Sequence, residues 1–446
     1  MMTIIKATSS KNGEGDPAGD GTTQPTNCTS SVARLSMSEV VAEKPNLRLA
    51  RKHERKLYQK IKRAHRARKR KRVEHFTRFY LMSFHARYVA TVKANRKLKP
   101  HRKVPARRLP EIAANLDPWR GSTEKVVVNF KPKKDNEHDF RPIMDFGIEN
   151  RTLQYLVQAA LEAQANIHPH QFAIRGGRSA AGRAVMAALA AGYHWGAEVD
   201  IADCYPSFNG DNISDLLPIP KGVTRNVLLS CHLNITLGNV LRWYFGPEDA
   251  SDEFVGDHGL FAEEFSEARR GIPQGSAASA LVTELLLATT IANLPGNGRV
   301  VVYADNFLVM AREEGDAVSM TLALRDALRG HPAGPLWPKL VNCFEPAETE
   351  FEFLGYVFRR KAGSIDVAPS TKNLAKFEYK FSKSIDRARK SEDSNGKKHR
   401  QLRHLRKYVR SWTAAFSLWP EAGTFRNEKM ALIDDVVAGL DGPQAA

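Results

Sequence analysis

The sequence predicts an α+β fold, and two observations carry that expectation. Apolar, β-type runs meet at polar turns twice, around residues 125–146 and 299–310. Helical patterns, rich in Lys and Arg, collect separately near the two ends. Hairpins of this kind accompanied by helices build layered α+β architectures. At 446 residues the chain is also long enough for two or three packed subdomains.

The formal net charge is +18, an excess that suits a polyanionic partner, either nucleic acid or a membrane surface. No stretch of 18 uninterrupted apolar residues occurs, and the N-terminus lacks the order of a secretory signal. A soluble protein of the cytoplasm, with no membrane partner, is therefore expected. Cys28, Cys204, Cys231 and Cys343 are scattered, without a CxxC pair. Neither a disulfide framework nor a zinc site is indicated.

Residues 1–45 are rich in Ser, Thr, Gly, Asn and Pro, a composition that buries too little surface to offset ordering entropy, so a flexible tail is expected. From Arg48 to Arg72 Lys and Arg crowd against one acid, Glu54, with no Gly or Pro to stop a helix. Like charges this dense repel unless a polyanion neutralises them, although a solvated helix face remains the alternative. Phe76, Phe79, Tyr80, Phe84 and Tyr88 follow at helical spacing and read as core packing. The segment 46–120 is thus a basic helical extension, closed by a connector at 110–122 that holds Pro110, Pro118 and Gly121.

Next come two strand signals, Lys125–Phe130 and Phe140–Phe146, joined by a Lys-rich turn, hence a hairpin with a positive tip. Residues 150–165 read as a helix with Leu153, Leu156, Val157 and Leu161 on one face. Two later segments set an Asp at the end of a buried-strand pattern. One runs from Ala197 through Asp200 to Phe208, and the other is a hairpin from Arg299 to Met310 with Asp305 at its tip. A lone Asp at a strand end is most often a cap or a turn former. A pair on adjacent strands is what two hard cations need for phosphoryl transfer.

These residues reach a resemblance. The Asp200 segment resembles motif A of reverse transcriptases, and Tyr303-Ala304-Asp305-Asn306 resembles their Tyr-x-Asp-Asp motif C with the last Asp replaced. Gly271-Ile-Pro-Gln274-Gly275 through Ser279 resembles motif B, a loop opening a helix, where the missing glycine side chains would let backbone approach a bound nucleotide. Lys131 to Ile143 resembles the fingers hairpin, His168 to Ser179 a fingers segment of bacterial group II intron-like enzymes, and Phe353-Leu354-Gly355-Tyr356 the primer grip.

The resemblance implies a right-hand polymerase: a flexible tail at 1–45, fingers at 121–199, a palm with an antiparallel sheet at 200–360, and a helical thumb with a C-terminal tail at 361–446. It implies two Mg²⁺ ions, or Mn²⁺, held by Asp200, Asp305 and Ile201, with Asn306 joining the two aspartates as a catalytic residue that can still offer an oxygen ligand. Lys133 and Arg141 would grip the triphosphate, and Gln274 and Gly275 would line the nucleotide site. Tyr205 stands where the family keeps a ring under the sugar, a ring that would clash with a 2′-hydroxyl and so select dNTPs. The implied partners are an RNA template and a DNA primer and product.

Two amphipathic patterns end the chain. Leu374, Phe377, Phe381 and Ile385 line one, and Leu402, Leu405, Val409, Trp412 and Phe416 the other, each opposite a face crowded with Lys and Arg. The apolar stripes read as core contacts and the basic faces as a thumb along a heteroduplex. Asn306 removes one charge near the metals, which leaves a catalytically weak or inactive polymerase-derived RNA-binding protein as the alternative. Ser279-Ala280 stands where many members have Ser-Pro, the lack of Val-Thr-Gly after the primer grip sets the chain apart from retron enzymes, and Gln274-Gly275 sets it apart from diversity-generating retroelement enzymes. What remains resembles stand-alone bacterial enzymes of the defence-associated and unknown groups, which implies antiviral defence as a role and a dedicated non-coding RNA as template.

Overall fold

The computed structural model describes residues 45–132, 140–238, 262–346, 350–361, 364–390 and 394–441. Cys28, the tail expected at 1–45 save its last residue, and the expected clamp residue Lys133 lie outside them.

Three helices open the described chain: α1 (Leu47–Arg66), α2 (Arg70–Met82) and α3 (Phe84–Lys97). Asn46 caps α1, its side chain accepting from the Arg48 and Leu49 amides at 2.9 and 3.3 Å. The Gly- and Pro-free basic run is nevertheless broken, because Arg68 takes a left-handed φ of 52°. That turn folds α2 back so that Ile61 and Ala64 share a core with Val73 and Tyr80, and core burial outweighs the ~1–2 kcal/mol that such a backbone costs. Glu54, the one acid of the run, accepts from the Tyr80 hydroxyl at 2.9 Å. Of the five aromatics expected in the core, Tyr80 and Tyr88 are buried, whereas Phe79 is 53% exposed.

The connector holds a short helix, α4 (Leu109–Asn115). Strands β1 (Val126–Pro132) and β2 (Phe140–Asp145) then form the expected antiparallel hairpin, with Val127 opposite Asp145 and Pro132 opposite Phe140. Helix α5 (Ile148–Glu162) buries Leu153, Leu156, Val157 and Leu161 on one face, and α6 (Gly177–Ala190) follows. Strand β3 is Trp195–Ala202, after which come the single turn α7 (Cys204–Ser207), α8 (Gly210–Leu216) and α9 (Lys221–Leu228). Strand β4 (Ile235–Leu237) returns to pair in parallel with β1, giving the fingers sheet the order β2-β1-β4.

Helices α10 (Ala262–Ala268) and α11 (Ser279–Ala292) lead into β5 (Arg299–Tyr303) and β6 (Asn306–Ala311). After α12 (Glu314–Arg329), β7 (Trp337–Phe344) completes a four-stranded antiparallel sheet of order β5-β6-β3-β7. Beneath it lies the largest core, where Val199, Ile201, Val302, Phe307 and Val309 meet α5, α11 and α12 through Leu156, Leu281 and Leu324.

A second small sheet, β8 (Glu350–Phe353), β9 (Tyr356–Lys361) and β10 (Ser364–Pro369), turns at Leu354 and Gly355. Both turn residues have positive φ, 52° and 78°, as a tight two-residue hairpin requires. The chain ends in α13 (Thr371–Lys390), α14 (Asn395–Ala415) and α15 (Ala422–Asp441). The first two carry the expected stripes, packed through Phe377, Phe381, Ile385, Leu402, Leu405 and Val409. The third, which stands where a tail was expected, closes that core with Ile433 and Val436. No described helix is long and apolar enough to cross a membrane. Fingers sheet, antiparallel palm sheet and helical thumb together make the right-hand polymerase fold that the sequence led us to expect.

Candidate active site

The β5–β6 hairpin turns at Ala304 and Asp305, with Ala304 at φ 57°. A non-glycine residue in the left-handed region is uncommon and is held here by the sheet on either side. In β3 Asp200 is the register partner of Asn306 on one flank and of Lys339 in β7 on the other. The antiparallel register therefore sets the Asp200 carboxylate beside the hairpin tip. This is the juxtaposition expected for Asp200 and Asp305.

Burial and the neighbouring Asp305 carboxylate push Asp200 up to about 6, against the pull of the Ile201 amide, Arg141 and Lys339. Burial also raises Asp305, while its own backbone amide, Arg141 and the Asn306 side chain act the other way. Asp200 Oδ1 is buried without a hydrogen-bond partner. Two partly desolvated carboxylates this close are costly unless positive charge joins them. Arg141, on β2, is the cation that both of them feel. Ile201 has its side chain buried in the core, which leaves only its backbone to serve the site. Asp203, with φ 44°, heads the α7 turn.

Glu198 lies two residues before Asp200 and so on the same face of β3. Burial, then Asp200 and Glu352, push it up to about 7. The sequence reading passed over Glu198, and over Lys339, which stands in a strand whose exposed apolar residues hide any alternation.

Tyr205 is half-buried in α7, and burial, then Asp305, raise its hydroxyl well above its ordinary value. The first turn of the motif B loop holds its backbone in place, since the Ile272 amide donates to the Tyr205 carbonyl at 3.0 Å. Gly271 has φ 57°, and a Cβ there would run into that same carbonyl. Further along, the Met144 amide of β2 donates to the Gln274 carbonyl at 2.9 Å, and Gly275, at φ 100°, makes room for the Met144 carbonyl. The sequence suggested that these glycines let backbone approach a nucleotide. What they demonstrably accommodate is other protein backbone, because the loop is wedged between α7 and the fingers hairpin.

A residue that no motif reading singled out ties these parts together. Glu284, fully buried in α11, accepts from the Ala173 amide at 2.7 Å and from the Ile174 amide at 3.3 Å. Gln171 donates back to the Glu284 carbonyl at 2.7 Å. The same segment forms a bridge to β5, with Phe172 N to Val302 O and Val302 N to His170 O both at 2.9 Å. The fingers segment at 168–179 is thereby fixed to both the motif B helix and the Asp305 hairpin. An acid in the middle of an apolar helical run was the available signal, since such a residue stays buried only when it is satisfied.

On the far side, the Tyr356 hydroxyl of the β8–β9 hairpin donates to the Ala415 carbonyl at 2.9 Å, and the Ser370 amide donates to the Gly355 carbonyl at 3.0 Å. The hairpin is thus anchored on the thumb. Among the described residues, no group of three or more His, Cys, Asp or Glu side chains is gathered as a metal cluster. The acidic centre of this site is a pair.

Residues 131–358 match a family model described as reverse transcriptase (RNA-dependent DNA polymerase). Among solved structures, an apo telomerase from Candida tropicalis, truncated from the C-terminal domain, is similar at 11% identity and a TM-score of 0.34, covering 56% of each chain. A telomerase from Candida albicans in complex with a TWJ fragment of telomeric RNA is similar at 11% identity and 0.34, over 72% of this chain and 64% of that one. The chain thus spans less than two thirds of either structure's length. No curated protein matches it.

Proposed function

Because the chain belongs to the reverse transcriptase (RNA-dependent DNA polymerase) family, and is by that membership an RNA-directed DNA polymerase, we propose that it extends a primer with dNTPs on an RNA template at Asp200 and Asp305. The observation that carries this reading is the pair itself: two partly desolvated carboxylates on neighbouring strand ends, with Asp200 Oδ1 unpartnered.

Such a donor set fits hard divalent cations. We assign Asp200, Asp305 and the Ile201 carbonyl as the residues that would hold two Mg²⁺ ions, for which Mn²⁺ can substitute. When bound, the ions lower the pKa of the primer 3′-hydroxyl and neutralise charge on the triphosphate. Arg141, already in the field of both carboxylates, is assigned to the triphosphate together with Lys133, a task suited to a guanidinium fork. Tyr205, its backbone fixed by Ile272, is assigned to the sugar, where its ring excludes a 2′-hydroxyl. Gln274 and Gly275 are assigned to the nucleotide site through the loop they shape, Gly275 by the room it leaves for the Met144 carbonyl, and the hairpin at Leu354 and Gly355 is assigned to the primer. The division into fingers, palm and thumb near residues 121, 200 and 361 belongs to the same reading.

Primer extension tests it. Purified protein with Mg²⁺ should incorporate dNTPs on a primed RNA, and Asp305→Ala should abolish incorporation while leaving the circular dichroism spectrum unchanged. Undiminished extension by that variant would overturn the assignment. The subgroup resemblance extends the proposal to a bacterial, cytoplasmic enzyme of antiviral defence that copies a dedicated non-coding RNA. Sequencing the nucleic acids that copurify with the protein reports template, primer and product together.

A further inference from the structure

We propose that one face of α1 is a docking surface for base-paired RNA, separate from the polymerase cleft. On this helix Arg48, Arg51, Lys52, Arg55 and Lys56, with Lys60 and Arg63 a turn further on, recur at spacings of three and four residues and so share one face. Gln59 stands among them, and Leu57 and His53 line the same groove from its edge. All seven cations are solvent-exposed, and none forms an ion pair among the described residues. With Ser83 and His85 at the start of α3, this face lines a groove of about 760 Å³ that no acid enters. The acid of the run, Glu54, is turned away and bonded to Tyr80.

A fold gains nothing from holding seven like charges on one helix face, and nearby like charges on a helix destabilise it. A polyanion reverses the sign of that interaction by exchanging its counterions for the side chains. From Arg48 to Arg63 the row spans roughly 22 Å at 1.5 Å per residue, a length that meets several successive phosphates. A rigid row suits a rigid partner. Single strands are gripped through aromatic platforms on which bases stack, and no aromatic ring other than those of His53 and His85 lines this groove. A membrane would need an apolar face free to insert, but here Ala50, Ile61 and Ala64 are spent on the protein core.

The choice of RNA over DNA rests on the reverse transcriptase reading, since both duplexes offer phosphates. A-form RNA is recognised by shape and by 2′-hydroxyl and phosphate contacts. The helix packs against α2, α3 and α5, so the surface belongs to the N-terminal extension and not to the sheet that carries Asp200 and Asp305.

The test uses the full chain and the quadruple variant Arg51→Ala, Lys52→Ala, Arg55→Ala, Lys56→Ala, which keeps helix propensity high. The probes are an RNA hairpin of about 16 base pairs, the length over which double-stranded RNA is commonly read, a DNA hairpin of the same sequence, and anionic vesicles. The variant should bind the RNA hairpin at least about tenfold more weakly at moderate salt, and the slope of log K against log salt should shrink by about 3 to 4, close to one for each phosphate no longer neutralised. Extension of a short pre-annealed primer–template should be unchanged. A charge-preserving variant that exchanges Arg and Lys at the same four positions should retain hairpin binding. Asp305→Ala should retain it too, which separates this proposal from the catalytic one. Unaltered hairpin affinity in the quadruple variant would overturn the docking surface. So would an equal loss for the DNA hairpin, or a loss confined to vesicles.

Discussion

Asn306 Nδ2 donates a hydrogen bond of 3.3 Å to Asp305 Oδ1, so the residue that departs from the two-acid form of the motif C tip supports the remaining acid. An amide in this place supplies a donor where a second carboxylate would supply repulsion. Asn306 also stands opposite Asp200 in the ladder, and a carboxylate there would meet two others. Asn306→Asp is expected to destabilise the metal-free protein by about 1–2 kcal/mol, as uncompensated like charges do. It should also lower the Mg²⁺ concentration needed for half-maximal extension, because an added hard ligand strengthens cation binding. Thermal melts in chelator, together with a Mg²⁺ titration of primer extension, check both effects. An unchanged Mg²⁺ requirement would show that Asn306 faces away from the cations. A gain of activity from nothing would instead favour a decayed enzyme that binds RNA without copying it.

Tyr205 should exclude ribonucleotides by the bulk of its ring and not by its hydroxyl, which burial holds protonated. Tyr205→Ala is therefore expected to raise ribonucleotide incorporation relative to dNTPs by at least about tenfold, the order that relieving a steric clash in a pocket yields. Tyr205→Phe should leave the preference intact. Competition assays with matched dNTP and rNTP pairs read both numbers.

Gly271 and Gly296 make a matched comparison. At Gly271 a side chain meets the Tyr205 carbonyl and φ is 57°, whereas at Gly296 nothing lies within 4 Å. Gly271→Ala should cost more than about 2 kcal/mol through strain and collision, and should reduce extension by displacing the α7 backbone that carries Tyr205. Gly296→Ala should be neutral or slightly stabilising. Denaturant midpoints measured side by side decide between these outcomes.

The raised carboxylates give the metal-free protein a definite pH dependence. Asp200 at about 6 and Glu198 at about 7 bind protons more tightly when folded than when unfolded. Their protonated forms therefore favour the fold below about pH 4, and that contribution is lost as pH rises through 6 and 7. In chelator, stability should fall across this window, and Asp200→Asn should flatten the slope. After allowing for screening of these half-exposed groups, the variant should gain about 1 kcal/mol at pH 7.5. Mg²⁺ should remove the wild-type slope. A metal-free melting profile that rises from pH 5 to 7.5 would contradict the electrostatics of the pair.

How much was legible in the sequence follows from the range of the interactions. Local patterns determined the two hairpins, the α5 face, the stripes of α13 and α14, and the order of motifs that marks the family, because period, turn chemistry and residue type act over a few neighbours. The same patterns brought Asp200 and Asp305 forward as a candidate pair. They missed the break at Arg68, which no Gly or Pro announces and which is set by the burial of Ile61 against α2. They missed α15 and β7, whose place depends on the partner they pack or pair with. Tertiary structure alone decided that Lys339 flanks Asp200, that Glu284 pins the 168–179 segment to the Asp305 hairpin, and that the motif B glycines yield to protein backbone. Each of these joins groups far apart in the chain, and a sequence records which charges and glycines exist, while only the packed fold records which of them meet.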